Sequence, residues 1–183
     1  MTNQYVAFLR GINVGGKSII KMADLKTCLD KEGFDNVATY IQSGNVLFES
    51  DETDAEKLVA KFNDALLKAF GYKAPTMLRT YKQLKDTVAK APKGFGTEPD
   101  KYRYDVIFLR EPLTAAEAIK GISLKEGVDA CAAGPGVLYF SRTVHKITSS
   151  HVSRIVGTPA YQNMTIRNWN TTTKMLALME ARR

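Results

Sequence analysis

Gly11-Ile12-Asn13-Val14-Gly15-Gly16-Lys17-Ser18 carries the densest set of chemically usable backbone in this chain. Its spacing, G-x-x-x-x-G-K-[ST], is that of a phosphate-binding loop, in which glycine N–H groups cradle phosphates and the lysine adds a point charge. That chemistry needs the lysine and serine to open the next helix and a neighbouring parallel strand to bring an acid to magnesium. The surrounding sequence meets neither requirement. The helical pattern starts near Met22, four residues beyond Ser18 and after the β-branched pair Ile19-Ile20, and the next two strands read as a hairpin. A weaker expectation remains: Gly15 and Gly16, with Arg10, Asn13 and Lys17 beside them, form an anion site for a phosphate-bearing small molecule or nucleic acid. An enzyme alternative is magnesium-dependent phosphoryl or nucleotidyl transfer, with Lys17 stabilising charge and Glu49 or Asp51 holding the metal. A third reading is a protein-partner module with no ligand, in which the glycines only turn the chain.

Two further strings carry polar groups suited to ligand contact. Gln42, Ser43 and Asn45 surround Gly44 at a hairpin turn, and they serve a ligand if that hairpin end approaches the Gly-rich loop. Arg167, Asn168, Trp169 and Asn170 set the only tryptophan beside an arginine and two amides, a combination that can stack a ring and bond its edge. The plainer reading is a core tryptophan with Asn170 capping the last helix. No serine lies in a pattern with histidine and acid that identifies a nucleophile, and Ser149-Ser150-His151 reads as a helix start. His145 and His151 have no ligand spacing, and Cys28 and Cys131 are far apart in apolar surroundings, as reduced thiols are. Neither a metal nor a cofactor is expected.

The elements that must position these residues repeat. Tyr5–Arg10 is a β-rich run, Met22, Leu25 and Leu29 share a helical face, and Val37–Gln42 and Val46–Ser50 form the hairpin. Residues 51–70 make a long helix with stripe Leu58, Phe62, Leu66 and Ala69, closed by Gly71. Pro75–Thr80 is a strand and Tyr81–Ala91 a short helix, giving β-α-β-β-α-β-α. After the linker 92–101 the order returns: Asp105–Arg110, a helix over 114–122 with Thr114 and Glu117 in capping-box spacing, strands over 128–133 and 137–142, a short helix over 151–156, a strand over 164–168 and a helix over 171–181. Leu78-Arg79-Thr80-Tyr81 stands against Ile166-Arg167-Asn168-Trp169. The chain therefore reads as α+β, an internal duplication of a ferredoxin-like-related unit, with repeats over 1–92 and 93–183.

Charge and composition fit that picture. The 183 residues are 44% hydrophobic, enough for a core, and their net charge of +7 is compatible with a polyanionic partner or with ordinary solvated lysines and arginines, since no basic run occurs. From Ala130 onward there are seven basic residues and one acid, Glu180. No apolar run approaches the roughly 18 residues of a membrane span, and no leader pattern opens the chain, so a cytoplasmic protein without membrane contact is expected. Oligomeric state is not legible.

Leu9-Arg-Gly-Ile-Asn-Val-Gly-Gly-Lys17, Lys21-Met-Ala-Asp-Leu25, Thr39-Tyr-Ile-Gln-Ser-Gly-Asn45 and Thr165-Ile-Arg-Asn-Trp-Asn170 together resemble the mainly bacterial family known as domain of unknown function 1697. The resemblance implies a duplicated α+β architecture and brings no activity or cofactor with it. It implies that Arg10, Asn13, Gly15, Gly16, Lys17, Gln42, Ser43, Asn45, Arg167, Asn168, Trp169 and Asn170 are the residues to test.

Overall fold

A computed structural model describes residues 2–16 and 19–183. The first copy contains β1 (Asn3–Leu9), α1 (Met22–Lys31), β2 (Asp35–Tyr40), β3 (Asn45–Ser50), α2 (Ala55–Phe70), β4 (Thr76–Thr80) and α3 (Tyr81–Ala89). The second contains β5 (Tyr102–Leu109), α4 (Ala115–Lys120), β6 (Asp129–Gly134), β7 (Val137–Thr143), α5 (Val152–Val156), β8 (Met164–Asn168) and α6 (Trp169–Glu180). Turns of 3-10 helix at Val144–Ser149 and Pro159–Asn163 flank α5, so a broken segment stands where the first copy has the long α2.

Each copy builds one four-stranded antiparallel sheet, in the orders β2-β3-β1-β4 and β6-β7-β5-β8. These are one topology written twice, and it is the ferredoxin-like order. The register repeats too. Leu9 faces Thr76 and Val6 faces Arg79, while Leu109 faces Met164 and Val106 faces Arg167. The duplication read from the sequence is thus present residue for residue in the closing strands.

Local sequence explains the ends of the helices. The Asp54 carboxylate caps α2 by accepting the N–H groups of Glu56 at 2.9 Å and Lys57 at 3.2 Å, so the helix starts at Ala55 and leaves Asp51 and Glu52 outside. Gly71, at φ 79°, closes it in the left-handed conformation. The capping box expected at Thr114 and Glu117 is formed. The last helix begins two residues earlier than its pattern implies, at Trp169, because the cap is Asn168: its Oδ1 accepts the Thr171 N–H at 2.7 Å. Asn170 is not the cap.

Contacts group the chain into two compact units, one holding residues up to Leu84 together with Met175–Arg183, the other Lys85–Lys174. The sequence repeats and these units are different partitions, since α3 and α6 are each divided between units. In the first unit, α1 and α2 pack on one sheet face around Leu25, Leu29, Phe34, Phe48, Phe62 and Leu66. Phe34 meets Phe48 and Phe62 edge-on, at centroid distances of 5.0 and 5.5 Å. The second unit buries Ile107, Leu138, Phe140 and Ile155 in its own core.

The central strands are buried along consecutive residues: Tyr5–Leu9 in β1, Asn45–Phe48 in β3, Asp105–Leu109 in β5 and Val137–Phe140 in β7. Side chains alternate across a strand, so such runs mean that both faces of each sheet are covered. Tyr139 shows the second face of its sheet: its hydroxyl donates to the Thr87 carbonyl at 2.7 Å, and Phe95 meets its ring at 5.4 Å. RNA recognition on an open ferredoxin-like sheet has no surface to use on these strands.

Candidate functional site

The Gly-rich segment leaves β1 through a series of left-handed residues: Gly11 at φ 78°, Asn13 at 54°, Gly15 at 59° and Gly16 at 74°. Asn is the side-chain-bearing residue that best tolerates this conformation. Its amide uses both ends. Asn13 Oδ1 accepts the Ile20 N–H at 2.7 Å, and Nδ2 donates to the carbonyls of Ile20 at 3.0 Å and Gln42 at 2.8 Å. One side chain therefore ties the start of the loop to its end and to the β2–β3 turn.

That turn is seated on the loop from its own side. Leu9 N–H donates to the Gly44 carbonyl at 2.8 Å, and a Cβ at Gly44 would lie 2.6 Å from Ile12 Cδ1 and 3.0 Å from Leu9 Cβ. Gly44 is glycine for two reasons, a φ of 78° and a lack of space. Asn45 is fully buried and holds the turn from within, its Nδ2 donating to the Tyr40 carbonyl at 2.9 Å and to Ser43 Oγ at 3.0 Å. Ile41 has φ 49°, which for a β-branched residue is a strained conformation.

Arg10, Asn13, Gly15, Gly16, Gln42, Ser43 and Asn45 thus belong to one loop pair in the first unit. The hairpin end does approach the Gly-rich loop, the condition set by the sequence. Lys17 lies outside the described residues, as does Ser18. At Gly11, Gly15 and Gly16 an added Cβ meets nothing within 4 Å, so their backbone borders open space. The helix that follows starts at Met22, and its N-cap, Lys21, gives it no side-chain hydrogen bond.

Arg167, Asn168, Trp169 and Asn170 fall in the second unit, where most have structural work. Arg167 is buried, its guanidinium donates to the Ile166 carbonyl at 2.9 Å, and burial lowers its pKa to about 10. Asn168 caps α6. Trp169 is half-buried, packs edge-on against Phe95 at 5.1 Å and lies over Gly96, whose φ of 86° and lack of a side chain admit the indole. Asn170 is exposed and its carbonyl accepts from Thr173 Oγ1 at 3.2 Å.

The magnesium arrangement is contradicted by strand direction. Glu49 pairs with Gln4, at the opening of β1, whereas the Gly-rich loop follows Leu9 at its close. About five residues of strand, roughly 17 Å, separate them, and Asn36 Nδ2 already donates to Glu49 at 2.7 Å. Asp51 lies further along the same direction. Among the described residues no group of three His, Cys, Asp or Glu side chains could hold a metal. The thiols are unsuited to nucleophilic work: burial raises both, Cys131 to about 11.

The structure also assembles a serine, a histidine and an acid that sequence spacing did not expose. Ser123 Oγ lies 3.3 Å from His151 Nδ1, but Asp129 accepts the main-chain N–H of His151 at 2.9 Å and that of Lys125 at 3.0 Å. The acid holds backbone, not the imidazole, so the ring lacks the orienting partner of a catalytic triad.

A profile described as "Protein of unknown function (DUF1697)" matches residues 1–139. The chain belongs to this family. The conserved bacterial protein SP0830 from Streptococcus pneumoniae has a similar structure, with a TM-score of 0.82 at 25% identity, covering 97% of this chain and 98% of that one. An unknown protein from Galdieria sulphuraria aligns over 92% of this chain and 98% of its own at 14% identity, with a TM-score of 0.26 that carries no argument. No curated protein matches the chain. The DUF1697 assignment and the similarity to SP0830 agree with the duplicated α+β architecture and bring no site with them. Among the described residues no helix is long and apolar enough to cross a membrane.

Proposed function

We propose that this DUF1697 protein binds an anionic group at the loop Arg10–Gly16, closed on the turn Gln42–Asn45, and that it works by binding, not by catalysis. The observation that carries this reading is the Asn13 clasp, which fixes the loop before any ligand arrives. A preorganised loop loses less freedom on binding. Left-handed residues that alternate with others, as Gly11, Asn13 and Gly15 do, are the backbone of anion-binding nests, and Gly15 and Gly16 border open space. The charges agree in sign: residues 2–23 contain Arg10, Lys17 and Lys21 and no acid. The uncapped start of α1 adds N–H groups of the same polarity.

The test is thermal unfolding of the wild type and of Lys17→Ala/Lys21→Ala with pyrophosphate, Mg-ATP, and single-stranded RNA and DNA at two salt concentrations. Ligand at 100 times its Kd adds about 2.7 kcal/mol, which at this length raises Tm by roughly 5–10 °C. The expected result is a salt-sensitive rise with at least one of these anions that the double variant loses. No rise with any of them, or a rise that the double variant keeps, overturns the reading.

A further inference from the structure

Six large hydrophobic side chains are exposed among the described residues, and three of them, Val14 at 65%, Ile19 at 70% and Ile41 at 49%, border the Asn13 clasp. Their closeness follows from the hydrogen bonds. Asn13 is bonded to Ile20 and to Gln42, and Val14, Ile19 and Ile41 are the chain neighbours of those three residues. One knot of main chain therefore carries three aliphatic side chains outward, and Ile41 does so in a strained conformation. Strained backbone clusters at ligand clamps and switches, and grouped exposed apolar side chains mark interaction sites.

Charge and side-chain type narrow the occupant. Residues 2–23, which include the loop, contain Arg10, Lys17 and Lys21 and no acid, and residues 36–48 around its turn carry no charge; the flanking acids are Asp24, Asp35 and Glu49. A two-fold contact of this corner with the same corner of a second copy would bring like charge against like charge. Nucleic acid that binds by stacking needs aromatic faces, and all six exposed large hydrophobics are aliphatic. Amphipathic helices that lie in a bilayer interface present Trp, Phe and Leu, and the exposed hydrophobics of this corner are Val and Ile on loops. We infer that the occupant is a polypeptide segment combining carboxylates with aliphatic side chains, the carboxylates at the basic Gly-rich loop and the aliphatics on Val14, Ile19 and Ile41. The inference rests on the anion reading above and names the carrier of the anion.

The experiment selects a random peptide library displayed on phage against the whole protein, then measures the affinity of the enriched peptides for the wild type, Val14→Ser/Ile19→Ser, Lys17→Ala/Lys21→Ala and the control Leu124→Ser, a comparable exposed site in the second unit. Melting curves of each variant verify folding, which exposed substitutions leave intact. The expected outcome is enrichment of peptides rich in both acids and aliphatics, weakened about tenfold or more by either double substitution and by added salt, and unchanged by Leu124→Ser. If pyrophosphate stabilises the protein but the peptides ignore Val14→Ser/Ile19→Ser, the anion reading stands and this inference is overturned. If peptides depend on Val14 and Ile19 but not on salt or the lysines, the anion reading falls and the inference with it. Cosedimentation with phosphatidylcholine–phosphatidylglycerol vesicles, lost in Val14→Ser/Ile19→Ser, would assign the corner to a bilayer and overturn the inference as well.

Discussion

The two copies differ most where their opening strands end. In both, the end of the strand is pinned identically: Leu9 N–H donates to Gly44 at 2.8 Å and Arg10 N–H to Pro75 at 2.9 Å, while Leu109 donates to Gly136 at 2.9 Å and Arg110 to Asn163 at 2.8 Å. From there the second copy reaches its helix in a few residues, through a turn closed by Leu113 N–H on the Arg110 carbonyl at 3.1 Å and the Thr114 cap. The first copy takes the long way, through Gly11 to Lys21. A fold that makes the same connection without glycines, clasp or exposed aliphatics shows that the first loop is an addition and not a requirement of the architecture.

The opposite holds for the second helix. The first copy keeps the long α2, whose face carries Leu58, Phe62, Ala65 and Leu66 into the core, whereas the second copy replaces it with 3-10 turns and the short α5, which buries Ile155. The largest effect in a test of this contrast belongs to Phe62→Ala. It should cost about 3–5 kcal/mol, read from denaturant midpoints, and a loss below about 1 kcal/mol would mean that the first copy does not depend on its long helix.

The glycines of the first loop pair come next. Gly44→Ala combines a left-handed conformation, about 1–2 kcal/mol, with overpacking against Ile12 and Leu9, about 1–3 kcal/mol. Gly15→Ala should cost only the first of these, because an added Cβ there meets nothing within 4 Å. Equal losses at the two positions would remove the distinction between a glycine that seats the turn and one that leaves backbone open.

The smallest effect is a pH dependence in the second copy. Burial by itself would raise the Asp129 carboxyl, but the Ser150 hydroxyl and the N–H groups of His151 and Lys125 outweigh it and hold it below the usual range. A depressed folded-state value stabilises above the unfolded pKa of about 3.9, and the contribution is lost as pH falls through the folded value. Asp105 has the other sign: burial raises it, against the pull of Arg142 at 3.0 Å, so falling pH favours the folded state through this group. Denaturant midpoints from about pH 6 down to 2 should fall less steeply in Asp129→Asn than in the wild type. An acid limb of unchanged slope would show that Asp129 holds its loop by geometry alone.

Much of the fold was legible because each copy repeats the same order of periodicities, and a strand-end arginine such as Arg79 or Arg167 gave a residue-level anchor for the alignment. The candidate site was legible as composition but not as geometry. Asn13 and Gln42 stand far apart in the chain, and nothing in either string announces the hydrogen bond between them. The apolar rim was hidden for a related reason: Val14, Ile19 and Ile41 are β-branched residues of the kind that normally fill strands, so their type argues for burial. Asn170 reads as a cap only if the helix starts at Thr171. The Asn168 side chain opens the helix instead, and Trp169 and Asn170 are its first residues.

The division of α6 has a consequence for how the chain comes off the ribosome. Met179 and Arg182 line a crevice with Gln4, Leu47 and Glu49, Arg182 donates to the Asn36 carbonyl, and the Arg183 guanidinium sits over the Tyr81 ring at 4.4 Å. These partners of β1–β3 and of Tyr81 are synthesised only after all of Lys85–Lys174. All four strands of the first sheet therefore emerge early, and only these side-chain contacts on it wait for a closure that spans the whole of that stretch. The unit that opens the chain is thus the one that takes contacts from the chain's far end.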